Sequence, residues 1–353
     1  MMNRSFLFHT LSFLILFGTS GMTYGLLSNK AERREGLRKK AALLESIRNS
    51  RREKAFEGIS TVKTKRQGTE YITRMEVYRS GSERQIHLLD LQGGNPRPRH
   101  GKKRMGGGMA SLFQPGSFRR ARLQDPSRIV NNYRIHCGED VIVGGRNGQL
   151  IRITPRYEDR PSYLLVSDKE NSFPLRFAVF GSKGEMAYEK KFDSIRFLPG
   201  VYRGRIHKNR GDQSRWGSIT QEKISFQQNP AFSFPVWIPE IVPTGFVLTD
   251  AIRMKINTGP INVEVVYSIY SDGIALFSLL QFSNENPVWK MMKTLFPKSK
   301  EGKGIFTRKI SLGIGSAFIL EMKGTVVILA GNIWSKSLEK TAVSLKPYIG
   351  DPS

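Results

Sequence analysis

The sequence predicts a mainly antiparallel β protein with helices, one large curved sheet followed by a smaller C-terminal α+β unit. Three observations carry this. Residues 131–198 read almost wholly as short strands separated by turn residues, which leaves no room for the crossover helices that parallel strands require. Within them Phe173, Leu175, Phe177 and Val179 recur with a period of two, the mark of a strand with one buried face. Residues 246–345 repeat the strand-and-turn pattern, now with two short helical stretches.

Taken in order, the chain opens with Arg4, a short apolar run from Leu11 to Phe17, and small residues through Thr23 and Gly25. This is the pattern of an export signal over residues 1–25. The run is too short to span a bilayer, which needs about 20 apolar residues. The expectation is an exported, soluble periplasmic protein kept away from chromosomal DNA. That matters because 56 Lys and Arg against 30 Asp and Glu give a net charge of +26. Such a charge alone admits nucleic acid, an anionic membrane surface or an acidic protein.

Residues 28–52 form a basic helical pattern in which Leu37, Ala41, Leu44 and Ile47 recur at spacings of three and four. Two placements fit it, on anionic lipid or, with so narrow a stripe, packed on the neighbouring sheet. Strands are expected over residues 58–65, 71–78 and 84–91, joined by Gly- and Ser-containing turns. Residues 93–116 hold too many Gly and Pro for a regular element and are expected to form a basic loop over the open side of the sheet. The meander follows. Asn147-Gly148 in the run from Gly144 supplies residues suited to a tight hairpin. Pro155 ends the strand after Leu150, and further strands are expected at Tyr163–Val166, Phe173–Phe180 and Met186–Phe197.

Residues 201–234 show no strong period and are read as a linker between a large domain over 28–200 and a second over 235–349. In the second, strands are expected at Phe246–Met254 and Val263–Tyr270, with Asp272-Gly273 as the turn into Ile274–Phe282. A helix over Asn286–Phe296, strands at 305–310, 316–322 and 325–330, and a closing helix over Ser335–Leu345 complete it.

Catalytic patterns are missing. There is no G-x-S-x-G elbow, phosphate loop or H-E-x-x-H pair, and the five histidines are scattered. Glu158 and Asp159 read as a solvated turn. Cys137, the single cysteine, allows no internal disulfide and is expected to be a small buried thiol. No enzyme, cofactor or metal site is expected.

The residues resemble a known family. Leu150 to Arg156 (LIRITPR) and Phe173 to Arg176 (FPLR) are similar to strand motifs of the MucB/RseB family. Pro243 to Phe246 (PTGF), Val266 to Ser278 (VYSIYSDGIALFS) and Gly324 to Gly331 resemble motifs of its second domain, in the same order. The resemblance covers roughly residues 55–346. It implies a half-open curved β-sheet like that of lipoprotein carriers, enclosing a hydrophobic cavity. The implied function is regulation of the envelope-stress sigma factor: the protein would hold an anti-sigma-factor-like membrane protein and release it when acyl chains of lipoprotein or lipopolysaccharide enter the cavity. On that reading Ile151, Ile153, Tyr163, Leu165, Phe173, Leu175, Phe177 and Val179 line the cavity, unless they pack as a dry core against the helix around Leu37 to Ile47. Tyr270, Asp272 and Gly273, in the motif of the second domain, are expected to meet the partner. Two alternatives are a periplasmic lipid or lipoprotein carrier and a charge-driven adaptor at an anionic envelope surface.

Overall fold

The computed structural model describes residues 32–66, 68–80, 83–93, 123–199, 218–258, 261–287, 289–290, 306–311 and 315–349. The expected export signal, the basic loop beyond Gly93 and most of the helix expected at Asn286–Phe296 lie outside them.

The first unit is an eight-stranded antiparallel sheet. Its strands are β1 (Phe56–Arg66), β2 (Thr69–Ser80), β3 (Glu83–Gln92), β4 (Tyr133–Val143), β5 (Arg146–Pro155), β6 (Ser162–Asp168), β7 (Pro174–Phe180) and β8 (Met186–Phe197). The order is β3-β2-β1-β8-β7-β6-β5-β4, so β3 and β4 are its two edges and the sheet does not close into a barrel. The meander from β4 to β8 follows the expected antiparallel course. Its first hairpin differs in place. Gly144 and Gly145 make the turn with φ of 61° and 76°, while Asn147 and Gly148 pair within the ladder against Ile142 and Val141. Two adjacent glycines adopt positive φ without a Cβ clash, so they take the turn ahead of Asn-Gly.

Helix α1 (32–53) lies on this sheet. Its stripe behaves as the spacing predicts: Leu44 and Ile47 are fully buried against Ile151, Ile153, Tyr163 and Leu165, with Leu37 and Ala41 at the margin. A second helix, α2 (Pro126–Asn132), was not foreseen. Asp125 caps it by accepting from the Arg128 N–H, Pro126 starts it, and Ile129 joins the same core.

The second unit is a seven-stranded antiparallel sheet ordered β14-β15-β16-β13-β12-β11-β9. Its strands are β9 (Ser218–Lys223), β11 (Val247–Thr258), β12 (Ile261–Ser271), β13 (Leu276–Ser283), β14 (Phe306–Ser311), β15 (Ser316–Met322) and β16 (Thr325–Gly331). Helix α3 (Ser335–Val343) buries Leu338 and Ala342 on one face against Phe246, Phe277, Phe318 and Leu329. Trp289 covers the other face with Phe282, Ile319 and Val326. Residues β10 (Trp237–Pro239) and β17 (Leu345–Pro347) form a small two-stranded ribbon beside it. Ser218–Lys223 was expected inside a linker; it is instead an edge strand paired with β11 from Ile252↔Lys223 to Asn257↔Ser218. Cys137 is also a correction: it is exposed, because it sits on the edge strand β4 beside a register shift.

Candidate functional site: an apolar cavity with a basic mouth

Strand register assembles one apolar face. Phe177 pairs with Leu165 on one side and Lys190 on the other, and Val62 of β1 pairs with both Lys190 and Thr73. A β-bulge between Ile59 and Ser60 brings Phe192 to the same face as Phe56. Helix α1 covers only the β4–β7 half of that face. Beyond the helix C-terminus the face opens into a cavity of about 290 Å³. Its apolar wall comprises Phe56, Leu165, Phe173, Leu175, Phe177 and Phe192. The Phe173 ring stands 4.8 Å from Phe56 and 5.8 Å from Phe192, in edge and tilted arrangements that fix the wall.

The mouth is cationic: Arg48, Arg51, Arg52, Arg79, Arg84 and Lys190 border it, and among the described residues no Asp or Glu does. Two of these cations also build the local structure. Arg79 donates to the carbonyl oxygens of Arg51 and Arg52 (3.2 Å to the latter), so it caps the last turn of α1. Burial holds its guanidinium below the usual arginine value. Arg48 donates to the Gln124 carbonyl at 2.7 Å and pairs with Glu45.

The expected lining residues divide in two. Leu165, Phe173, Leu175 and Phe177 reach the cavity. Ile151, Ile153, Tyr163 and Val179 do not; they are sealed beneath α1 and α2 as dry core. Spacing marked a shared face, but the helix takes half of it.

The expected partner residues are buried within the chain, a correction with a clear cause. Tyr270 stacks on Phe277 at 4.7 Å in the core of the second sheet. Asp272 has a fully buried side chain. It heads the β12–β13 turn, which plugs into the first unit, with Ile274 joining the core around Ile129 and Tyr133. Arg160 Nη1 donates to Asp272 Oδ2 at 2.6 Å and Tyr133 Oη donates to the same oxygen at 2.8 Å. Asp272 Oδ1 accepts from the Ile274 and Ala275 N–H groups at 3.1 and 2.8 Å. Arg160 is completed by Asp159 Oδ1 at 2.6 Å and the Thr244 carbonyl at 2.7 Å, between the rings of Tyr157 and Phe246. Burial pushes the Asp272 carboxyl up, while Arg160, Tyr133 and the two amides pull it back. Gly273 adopts φ +111° and accepts from the Gln124 and Asp125 N–H groups. Among the described residues no cluster of His, Cys, Asp or Glu could hold a metal ion, and no helix is long and apolar enough to cross a membrane.

Residues 108–209, which include β4 to β8, match the model of the MucB/RseB N-terminal domain. Over that stretch the chain is similar to the MucB/RseB family. Over 246 residues it is 22% identical to the sigma factor AlgU regulatory protein MucB of Pseudomonas aeruginosa, covering 68% of this chain and 69% of that protein. Two solved structures share the fold. One is MucB in complex with MucA(peri), with TM-score 0.53, 18% identity and coverage of 87% and 98% of the two chains. The other is the Pseudomonas aeruginosa MucA/MucB complex, with TM-score 0.54, 18% identity and coverage of 88% and 99%. The fold is therefore the open antiparallel sheet with a second unit, as in these two structures.

Sequence reasoning missed both charged features. Arg160 follows the acidic pair Glu158-Asp159, a composition that normally marks solvent, and its partner Asp272 lies 112 positions away. The arginines of the mouth come from α1, β2 and β3, whose convergence only the sheet order shows.

Proposed function

We propose that this MucB/RseB-like chain is a periplasmic regulator that holds the envelope part of an anti-sigma-factor-like membrane protein and is answerable to acyl chains entering its cavity. It acts by binding, not by catalysis. The observation that carries the partner half is the fold shared with MucB across 88% of this chain, second sheet included, in a relative solved as a complex with MucA. The ligand half is supported by the cavity of about 290 Å³ walled by Phe56, Phe173, Leu175 and Phe192. We assign residues 28–200 to a ligand-holding domain and the β9 to β17 region to a second domain, seated on the first through Asp272. Tyr270, Asp272 and Gly273 are interior in the free chain, which supports a partner surface elsewhere.

The test is a native pull-down of the mature protein from envelope extract, with proteins and lipids identified together. The expected capture is a membrane-spanning protein whose periplasmic segment suffices for binding. Recovery of lipoproteins without such a protein would overturn the regulator reading in favour of a carrier. Binding that collapses steeply with ionic strength would favour a charge-driven adaptor.

A further inference from the structure

The cavity does not present a neutral entrance, and this narrows its ligand. Resting on the acyl-binding reading above, we propose that its ligand is a single-chain anionic amphiphile, with the tail against Phe173 and Leu175 and a carboxylate or phosphate head among Arg51, Arg52 and Arg84. Three features converge on this. The first is size. About 290 Å³ sits at the lower bound of small-molecule pockets, roughly 300 Å³, and accommodates one chain rather than a bundle of them.

The second is charge. Six cations border the mouth, and among the described residues that line it there is no Asp or Glu. Arg51, Arg52 and Arg84 are exposed there, and guanidinium forks match the oxygens of carboxylate and phosphate in pairs.

The third is the treatment of the helix end. The last turn of α1 borders the mouth through Arg51 and Arg52, and a helix C-terminus repels anions. Arg79 occupies the Arg51 and Arg52 carbonyls with both terminal nitrogens, which cancels that repulsion where an anionic head would sit. Cations gathered only for solubility need no such arrangement over an apolar hole.

The experiment is displacement of the uncharged dye Nile red from the full-length mature protein at low salt. Palmitate and monopalmitoyl phosphatidic acid are compared with monopalmitoylglycerol, and monooctanoyl with dioctanoyl phosphatidylglycerol, all below their aggregation limits. The anionic single-chain ligands are expected to displace the dye at concentrations at least about tenfold lower than the glyceride. The palmitate and phosphatidic acid arms report which anion is preferred. In the triple variant Arg51→Glu, Arg52→Glu, Arg84→Glu the preference should vanish while the glyceride keeps its affinity, with thermal melting confirming the fold. Equal displacement by glyceride and palmitate would overturn the head assignment and leave acyl binding intact. Equal competition by the two-chain lipid would overturn the single-chain assignment. Failure of every amphiphile to displace the dye would remove the acyl half of the proposed function itself.

Discussion

Replacing Asp272 with alanine is expected to destabilise the protein by about 3 kcal/mol. Removing one member of a buried ion pair costs about 3 to 5 kcal/mol, since the other charge is left without compensation in low dielectric. Both side chains of the Arg160–Asp272 pair are fully buried, so solvent screening does not shrink the figure. The lower end applies because Arg160 keeps Asp159 at 2.6 Å and the Thr244 carbonyl at 2.7 Å. Against that, Tyr133 loses its acceptor, and the Ile274 and Ala275 amides lose theirs. The assay is urea denaturation of the full chain, following the midpoint and the number of transitions. Because the pair spans the two sheets, the variant should also separate one transition into two. The paired variant Arg160→Met with Asp272→Leu provides the control, since it removes both charges. It should lose at least about 1 kcal/mol less than the sum of the single changes. An Asp272→Ala loss below about 1 kcal/mol, or strictly additive singles, would refute a compensated ion pair at this junction.

Alkaline pH should unfold the protein through its buried tyrosines. Burial raises Tyr133 and Tyr163 well above the usual phenol value, raises Tyr267, and raises Tyr270 to about 12. A raised folded value means stability that is whole below the unfolded pKa near 10 and lost as pH climbs through the folded one, at up to about 1.4 kcal/mol per pH unit for each phenol. Urea midpoints from about pH 9 to 12 should fall accordingly, and Tyr133→Phe should flatten the slope; an unchanged slope would contradict the burial argument. Gly273→Ala should cost about 2 kcal/mol or more, since its Cβ would stand 2.7 Å from the Asp125 carbonyl oxygen at φ +111°. A midpoint within error of wild type would show that the turn can withdraw. Cys137 should react with a thiol reagent in the native state as fast as in urea, whereas strong protection would mean that β4 is covered.

Much of the fold was legible where local chemistry decides. Met186–Phe197 is the strand the sequence predicts, bounded by the Gly184 turn and Pro199. The α1 stripe reads correctly because Leu44 and Ile47 are placed by helical period alone. Legibility failed where two local signals competed or where a distant partner decided. Gly144-Gly145 and Asn147-Gly148 are both hairpin material, and only the register with β6 excludes the second: a side chain at Gly148 would meet Val166. Period two places Leu165, Phe173, Leu175 and Phe177 on a face that borders the cavity, but it does not say where a helix will lie, and α1 covers Ile151, Ile153, Tyr163 and Val179. For Asp272 the Asp-Gly pair correctly announced a turn, but a turn is normally a surface feature, and this one is inserted between two sheets.

That insertion ties the cavity to the junction through one short stretch. Leu123 borders the cavity, and the next carbonyl, that of Gln124, is held by Arg48 at its mouth. The Gln124 and Asp125 amides donate to Gly273 at 2.8 and 3.3 Å, and Ile129 of α2 lies against the same glycine. At the far end of α2, Asn132 donates to the Asp272 carbonyl at 2.9 Å. A ligand that displaced Leu123 or drew Arg48 away would therefore pull on hydrogen bonds at the junction without touching it. An apolar contact tolerates shifts of a few tenths of an ångström, whereas a buried hydrogen bond weakens steeply with angle and length and has no water to replace it. A junction built from Arg160, Asp272 and Tyr133 would for that reason register such a shift more sharply than an apolar one of equal area.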